Sequence, residues 1–542
     1  MSQSRRDFLK FVLAGSAAAA CPIDFSASTD SSEASPRIEG EHFDICHQVR
    51  DGRIFDRPPV SKRQDVVIVG GGLSGLSAAY FLRRHDFLLL EKEPHWGGNA
   101  YLETYEGQAF ATGSAFDTKD SASDRFSREL GLDPRPINSP DPTIVRGKWI
   151  ADTWRTGLDA LPYSAAVRDG FKKFRREMLA LDLAKDREHL DSVPLTRYLK
   201  DYPPEVAAWW DSYGLSNWGA KSADTSALVA ANDLQEIAGD EPDARVTLPG
   251  GNGALSQKLS EILHAKFAEQ MLTSATTIAV EPQRDAVHVT FLQGTQPRTV
   301  AAKFVIMATP KFITARLVSD LPDDQLDAMK SIRYCPYPVI NMIFDRPVYE
   351  RAYDTWCPGN SFTDFVAADW VVRDRSHNNA KNRAASVGAD GVSVYESGPG
   401  EKTAAGAELD SPVLAERARP PQSTRNVHIL TFYAPLSESD RPKLLHEDGC
   451  RKIAANVLDD FKKLLSEFNV DPIEVHFYRR GHPMFLPTPG MFTKVIPVAS
   501  VPFDRVFLAN TDSIGPVSDV GAAVESAQHA AEWVERQMAH TK

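Results

Sequence analysis

An α/β fold, with a parallel-stranded domain interleaved with an α+β domain, is predicted from three observations in this 542-residue chain. The run Asp65-Val66-Val67-Ile68-Val69 is apolar, short and closed by glycines, as a strand buried on both faces requires. A second such run, Phe87-Leu88-Leu89-Leu90, follows after one helix's length ending near Arg84. Near the far end of the chain, Arg505-Val506-Phe507-Leu508-Ala509 and the helical stretch from about Gly521 repeat the strand–helix pattern, so the intervening residues are inserted into one domain.

The N-terminus reads as an address. Ser4-Arg5-Arg6-Asp7-Phe8-Leu9-Lys10 precedes an apolar stretch from Phe11 to Ala20 that is too brief to span a bilayer. It resembles a twin-arginine signal, which implies export of the folded protein to the periplasm. Cys21 after Ala18-Ala19-Ala20 also resembles a lipoprotein cleavage box. Polar residues follow to Pro36, so 1–36 is expected to be signal and linker.

The body divides by pattern. Residues 60–155 form the first nucleotide-domain segment, and 156–240 a helical cap with apolar residues at helical spacing in Phe171–Leu179. Residues 241–315 return to strands, notably Val287–Phe291 and Phe304–Ala308, the last ended by Thr309-Pro310. Residues 316–490 are the second substrate-domain segment, carrying a non-periodic insertion at 373–425, and 491–538 close the nucleotide domain.

Composition narrows the partners. The formal net charge is -12 and no basic cluster interleaved with aromatics occurs, which excludes nucleic acid. The cysteines Cys46, Cys335, Cys357 and Cys450 have no zinc, haem or thioredoxin spacing, so no metal is expected; one disulfide stays open, with Cys335 read as buried and apolar.

Gly70-Gly71-Gly72-Leu73-Ser74-Gly75 is a G-x-G-x-x-G between strand and helix, the Rossmann-type dinucleotide fingerprint. Gly70 permits the tight turn, Gly72 lets a pyrophosphate reach the backbone, and Gly75 lets the helix pack closely. The N–H groups at Leu73 and Ser74 then face the phosphates. Glu91, ending the second strand about twenty residues on, is placed to accept ribose hydroxyls, with Lys92 beside it.

Four blocks then carry a resemblance: this fingerprint, the turn Gly97-Gly98-Asn99, Leu248-Pro249-Gly250-Gly251-Asn252-Gly253, and the C-terminal strand and helix. Together they resemble the FAD-containing amine oxidase family, whose more distant relatives desaturate carotenoids or oxidise porphyrinogens. The resemblance implies FAD, held also at Gly113 and Ser114 and expected to be non-covalent because no Cys or His sits in a recognised flavin-attachment motif. Asp512 would lie at the ribityl and pyrophosphate region, and the helix start Gly521-Ala522-Ala523 would aim its dipole at the flavin. It implies hydride transfer from a neutral amine to flavin N5, giving an imine that water hydrolyses. The Arg-Arg signal and the Ala509-Asn510-Thr511-Asp512 strand resemble the spermidine dehydrogenase branch, a polyamine hint.

Departures bear on the chemistry. Asn99 stands where the family usually has arginine, and Ala527 where it has glycine. The strand Tyr337–Met342 lacks the lysine that oxidases commonly hold near N5, which favours a dehydrogenase passing electrons to a quinone or cytochrome rather than O2; Lys494 is the alternative lysine. On the substrate side, Trp210 and Trp218 suit a cation-holding pocket, Asp519 or Asp364 would anchor a second ammonium, and His482 is the candidate proton acceptor. Two rivals stay open: a desaturase or isomerase of an apolar polyene or porphyrinogen, and a flavoprotein partner subunit without turnover. Membrane contact is expected only with lipidation or a polyene substrate.

Overall fold

A computed structural model describes residues 35–238, 244–372, 427–466, 470–515 and 518–540. The twin-arginine stretch and the 373–425 insertion lie outside the described residues.

The β-branched and leucine runs build a seven-stranded sheet. Its order is Met271–Leu272, Phe87–Leu90, Val60–Val69, Gln296–Met307, Val287–Gln293 and Ala275–Pro282, with Val506–Leu508 also on Gln296–Met307. The central pairings are parallel: Val66 faces Phe87 on one side and Phe304 on the other, and Val305 faces Val506. Burial on both faces explains why these strands are continuous apolar runs, with Val66, Val67 and Ile68 at 0% exposure. The helices Leu73–Phe81, Gly253–Phe267 and Val520–His540 pack on one face, where Ala527 is wholly buried.

The second sheet has eight strands, in the order Arg37–Gly40, Glu474–Arg479, Val339–Phe344, His428–Tyr433, Asp364–Ala367, Asp354–Trp356, Thr143–Val145 and Lys148–Ile150. The helix Glu447–Leu464 covers one face through Val457 and Phe461, against Phe344, Phe365 and Phe432. The opposite face carries Tyr337, Val339, Tyr353 and Tyr433, packed with Phe110, Ala111 and Ala115. It is this face that meets the nucleotide-domain segment.

The cap is helical, as its pattern predicts: Ala165–Leu179, Arg187–Ser192, Thr196–Leu199, Pro204–Asn217 and Ala227–Ala238 share one apolar core. Two segments depart from the expected division. Thr143–Val145 and Lys148–Ile150, expected in the first nucleotide segment, join the eight-stranded sheet because Trp356 N–H bonds the Pro142 carbonyl and Trp356 pairs with Thr143. Met491–Ala499, expected to begin the last nucleotide segment, packs into the cap core, where the buried Asp191 carboxylate accepts the N–H groups of Phe492 and Thr493.

Cys335, Cys357 and Cys450 are buried free thiols, and Cys46 is a free, half-buried one. Among the described residues no group of His, Cys, Asp and Glu could hold a metal, and no helix is long and apolar enough to cross a membrane.

Candidate active site

The glycine turn is shaped by close approach. Gly70 has φ +105°, and a Cβ on Gly75 would lie 1.8 Å from the Gly70 carbonyl oxygen. Only hydrogen is tolerated there. A Cβ on Gly72 would meet nothing nearer than the Gly98 Cα at 3.8 Å, so that side of the turn stays open to a ligand. The helix Leu73–Phe81 starts directly behind it, and the first-turn N–H groups at Leu73 and Ser74 have no intrahelical acceptor.

Glu91 sits at the strand end beside this turn. Its Oε2 accepts the Gly71 N–H at 2.6 Å and its Oε1 the Glu93 N–H at 2.8 Å, so it is a buried acid rather than a solvated one. Burial raises its carboxyl above the usual range, while each oxygen retains a lone pair. Lys92 turns away. Its Nζ bonds Glu93 and, at 3.4 Å, the His42 carbonyl, because the buried Glu93 demands the charge; a direct cofactor role is not where the side chain points.

The paired glycines close on the fingerprint. Gly97 N–H donates to the Gly71 carbonyl at 2.9 Å, and Gly97 and Gly98 have φ +116° and +56°. Asn99 follows, its carbonyl accepting the Ser114 N–H at 3.3 Å, while the Asn252 side chain bonds Ser114 Oγ at 2.9 Å. A Cβ on Gly251 would be 3.0 Å from the Ser114 carbonyl oxygen. Thus Gly97–Asn99, Gly113–Ser114 and the Gly250–Gly253 turn, far apart in sequence, adjoin in space.

The final helix begins at Val520, with Asp519 Oδ1 accepting the Ala522 N–H at 2.7 Å. Asp519 is therefore the cap of this helix rather than a free ammonium anchor. Burial among neighbouring groups, Asp117 among them, pushes its carboxyl up to about 6. Gly521, Ala522 and Ala523 are all buried where the helix passes Ser121 and Ser123.

Four expectations are corrected. Asp512 is fully buried, with Oδ2 accepting from Lys311 N at 2.8 Å and from the Tyr334 hydroxyl at 2.7 Å, and Oδ1 from Lys311 Nζ at 2.8 Å. Both oxygens belong to an internal ion pair, not to a cofactor face. Trp210 and Trp218 are wholly buried, stacked at 5.7 Å, and Trp218 Nε1 donates to Asp233 at 2.6 Å. They hold the cap together instead of lining a pocket. Lys494 is exposed on the surface. His482 lies beside Phe312 at 4.7 Å, and burial with the nearby Arg441 and Arg316 pushes its imidazole down to about 3. So weak a base is poorly matched to taking a proton near neutrality.

Residues not singled out by sequence complete the site. Arg480, two residues before His482, donates from Nε to the Thr112 carbonyl (3.1 Å) and from Nη2 to Thr112 Oγ1 (2.8 Å). Its Nη1 donates to the Gly98 carbonyl (3.2 Å) and Asn99 Oδ1 (3.1 Å). Tyr433 donates to the Gly113 carbonyl at 2.9 Å and forms an edge-on pair with Tyr337 at 5.9 Å. Ser216 links Tyr337 (3.0 Å) to Asp364 Oδ1 (2.6 Å). Asp354, two residues out of register on the neighbouring strand, is also buried, and its Oδ1 has no partner. Burial, with the nearby Asp364 and Asp141, raises Asp354 well above the usual range, and burial with Asp141 pushes Asp364 up to about 7.

A family model described as flavin containing amine oxidoreductase matches residues 73–534, most of the chain, from the helix behind the glycine turn through the final helix. The chain belongs to that family. It is an FAD-dependent oxidoreductase, and the open Gly72 turn, the unpaired helix N–H groups and Glu91 suit that dinucleotide. Among family relatives it is 23% identical to oxidoreductase PigB of Serratia sp. (strain ATCC 39006), over 89% of this chain and 77% of PigB. It is 24% identical to amine oxidase [flavin-containing] A of Canis lupus familiaris over 47% of this chain, an alignment spanning about half (51%) of that relative. Two solved structures share the fold across 88% of this chain and 99% of their own. They are a putrescine oxidase bound to putrescine (TM-score 0.63, 17% identity) and a cyclohexylamine oxidase from Brevibacterium oxydans IH-35A (0.62, 16%).

Proposed function

We propose that this protein dehydrogenates a di- or polyamine such as spermidine, with FAD as the hydride acceptor and a quinone or cytochrome as the onward acceptor, after twin-arginine export to the periplasm. The observation that carries the substrate class is the buried pair Asp354 and Asp364, which no cation of the described residues contacts directly, Arg245 being paired with Asp141 and acting on Asp354 only through space. A second ammonium group of the substrate would supply that charge, with Tyr337 and Tyr433 offering ring faces between it and the Gly113 side of the cofactor site.

When bound, FAD supplies the two-electron chemistry. The chain's own contribution is to bind, orient and exclude water. Asp364 fixes the distal end of the substrate, and the closed aromatic face of the eight-stranded sheet keeps solvent from the reacting carbon. His482 stays uncharged, so it neither repels an ammonium nor serves as the principal base. The absence of lysine from Val339–Phe344, all six residues buried, supports a dehydrogenase over an oxidase.

An anaerobic visible spectrum of the purified protein, taken before and after adding spermidine, putrescine and a monoamine, tests this. Bleaching of the flavin band by diamines in preference to the monoamine, with slow recovery in air and rapid recovery with a quinone, is the expected result. Flavin that no amine reduces would sink the proposal and favour the desaturase or partner-subunit alternatives.

A further inference from the structure

Arg480 carries a buried charge that no carboxylate of the described residues touches directly. Its side chain is buried at 7% exposure, all four of its hydrogen-bond acceptors are neutral, and no carboxylate forms an ion pair with it among the described residues. Glu41 and Glu93 act on it only through space, and Glu41 Oε2 accepts the Gly481 N–H at 2.9 Å. A buried cation so placed is costly unless an anion completes the site. Two of its bonds go to Gly98 and Asn99, and Gly98 lies against Gly72, the glycine whose open side admits a phosphate group. Thr112 and Gly113 close the guanidinium in from behind, where a Cβ on Gly113 would be 3.6 Å from Nε.

We propose that Arg480, arriving from the end of the strand Glu474–Arg479, supplies the cation for the cofactor's diphosphate. The planar fork is locked by Thr112, Gly98 and Asn99, so the charge is positioned before the ligand arrives. The placement rests on the FAD assignment. It adds that the phosphate charge is met from the substrate-domain sheet, so cofactor and substrate halves of the molecule are joined through the ligand.

The test compares the wild-type holoenzyme with Arg480→Gln, Arg480→Lys and the double variant Asn99→Arg/Arg480→Gln. The readouts are flavin release on dilution, followed by fluorescence, and the midpoint potential of the flavin retained. Arg480→Gln is expected to weaken FAD retention at least tenfold, with Arg480→Lys intermediate and the midpoint potential unchanged. The double variant is expected to regain most of the loss, a rescue that a merely structural role for Arg480 would not give and that keeps the test decisive if the single variant folds poorly. Retention within twofold of wild type in Arg480→Gln, no rescue by Asn99→Arg, or a shifted potential at unchanged retention overturns the proposal. A wild-type protein without flavin would instead remove the cofactor assignment beneath it.

Discussion

Replacing Lys311 by methionine removes the cation from a pair in which both side chains are wholly inaccessible. The variant keeps most of the side-chain volume but deletes the bonds from Nζ to Asp512 Oδ1 (2.8 Å) and to Ser513 Oγ (2.6 Å). Asp512 Oδ2 keeps the Lys311 N–H and the Tyr334 hydroxyl, and Oδ1 is left bare. A buried pair broken on one side costs about 3–5 kcal/mol, consistent with two charge-assisted hydrogen bonds at about 1.5–3 kcal/mol each. In the double variant Lys311→Met/Asp512→Asn the stranded charge is gone. The asparagine oxygen can still accept from the backbone and Tyr334, and its amide can donate to Ser513, so at least half of the loss should return. Urea denaturation at saturating FAD, compared at constant m-value, measures both variants with ligand stabilisation held equal. Flavin content should stay stoichiometric in the double variant if Asp512 is structural. A cost below about 1 kcal/mol for Lys311→Met, or a double variant as unstable as the sum of its parts, would refute the ion-pair account.

His482→Asn should leave kcat within a few-fold. It should also flatten stability between pH 6.5 and 3, because the native imidazole stays neutral down to about 3 while the unfolded one takes its proton near 6.5, so this residue erodes stability as pH falls; urea midpoints across that range check it. Gly75→Ala, which forces a Cβ to within 1.8 Å of the Gly70 carbonyl oxygen, should yield protein without flavin, whereas Glu91→Ala should fold but lose FAD affinity by about tenfold, seen as flavin released on gel filtration. Asp364→Asn should raise KM for a diamine about tenfold or more with little change for a monoamine. In the wild type, diamine kcat/KM should climb as pH rises through about 7, where this acid ionises, and the variant should lose that limb in steady-state assays.

What was legible in the sequence is what local backbone geometry demands. Gly70, Gly72, Gly75 and the acid Glu91 are set by one strand–helix–strand unit, so their spacing alone places them, and the family resemblance drawn from four blocks agrees with the fold. Residues whose surroundings come from distant segments were not legible. Asp512 looks like a cofactor acid until Lys311, 201 positions away, is seen to claim it. Trp210 and Trp218 look like a substrate box until Trp154, Phe174 and Trp356 are found packed around them. Arg480 gives no signal at all, since its meaning depends on Gly98 and Thr112.

The eight-stranded sheet has a consequence for biosynthesis. Arg37 pairs in parallel with His476, and on the other sheet Val305 waits for Val506. Neither sheet can be completed by a nascent chain until nearly all of it has left the ribosome, and contacts of such long range close slowly. Until then the chain carries exposed strand edges, the surface on which chaperones and proteases would act.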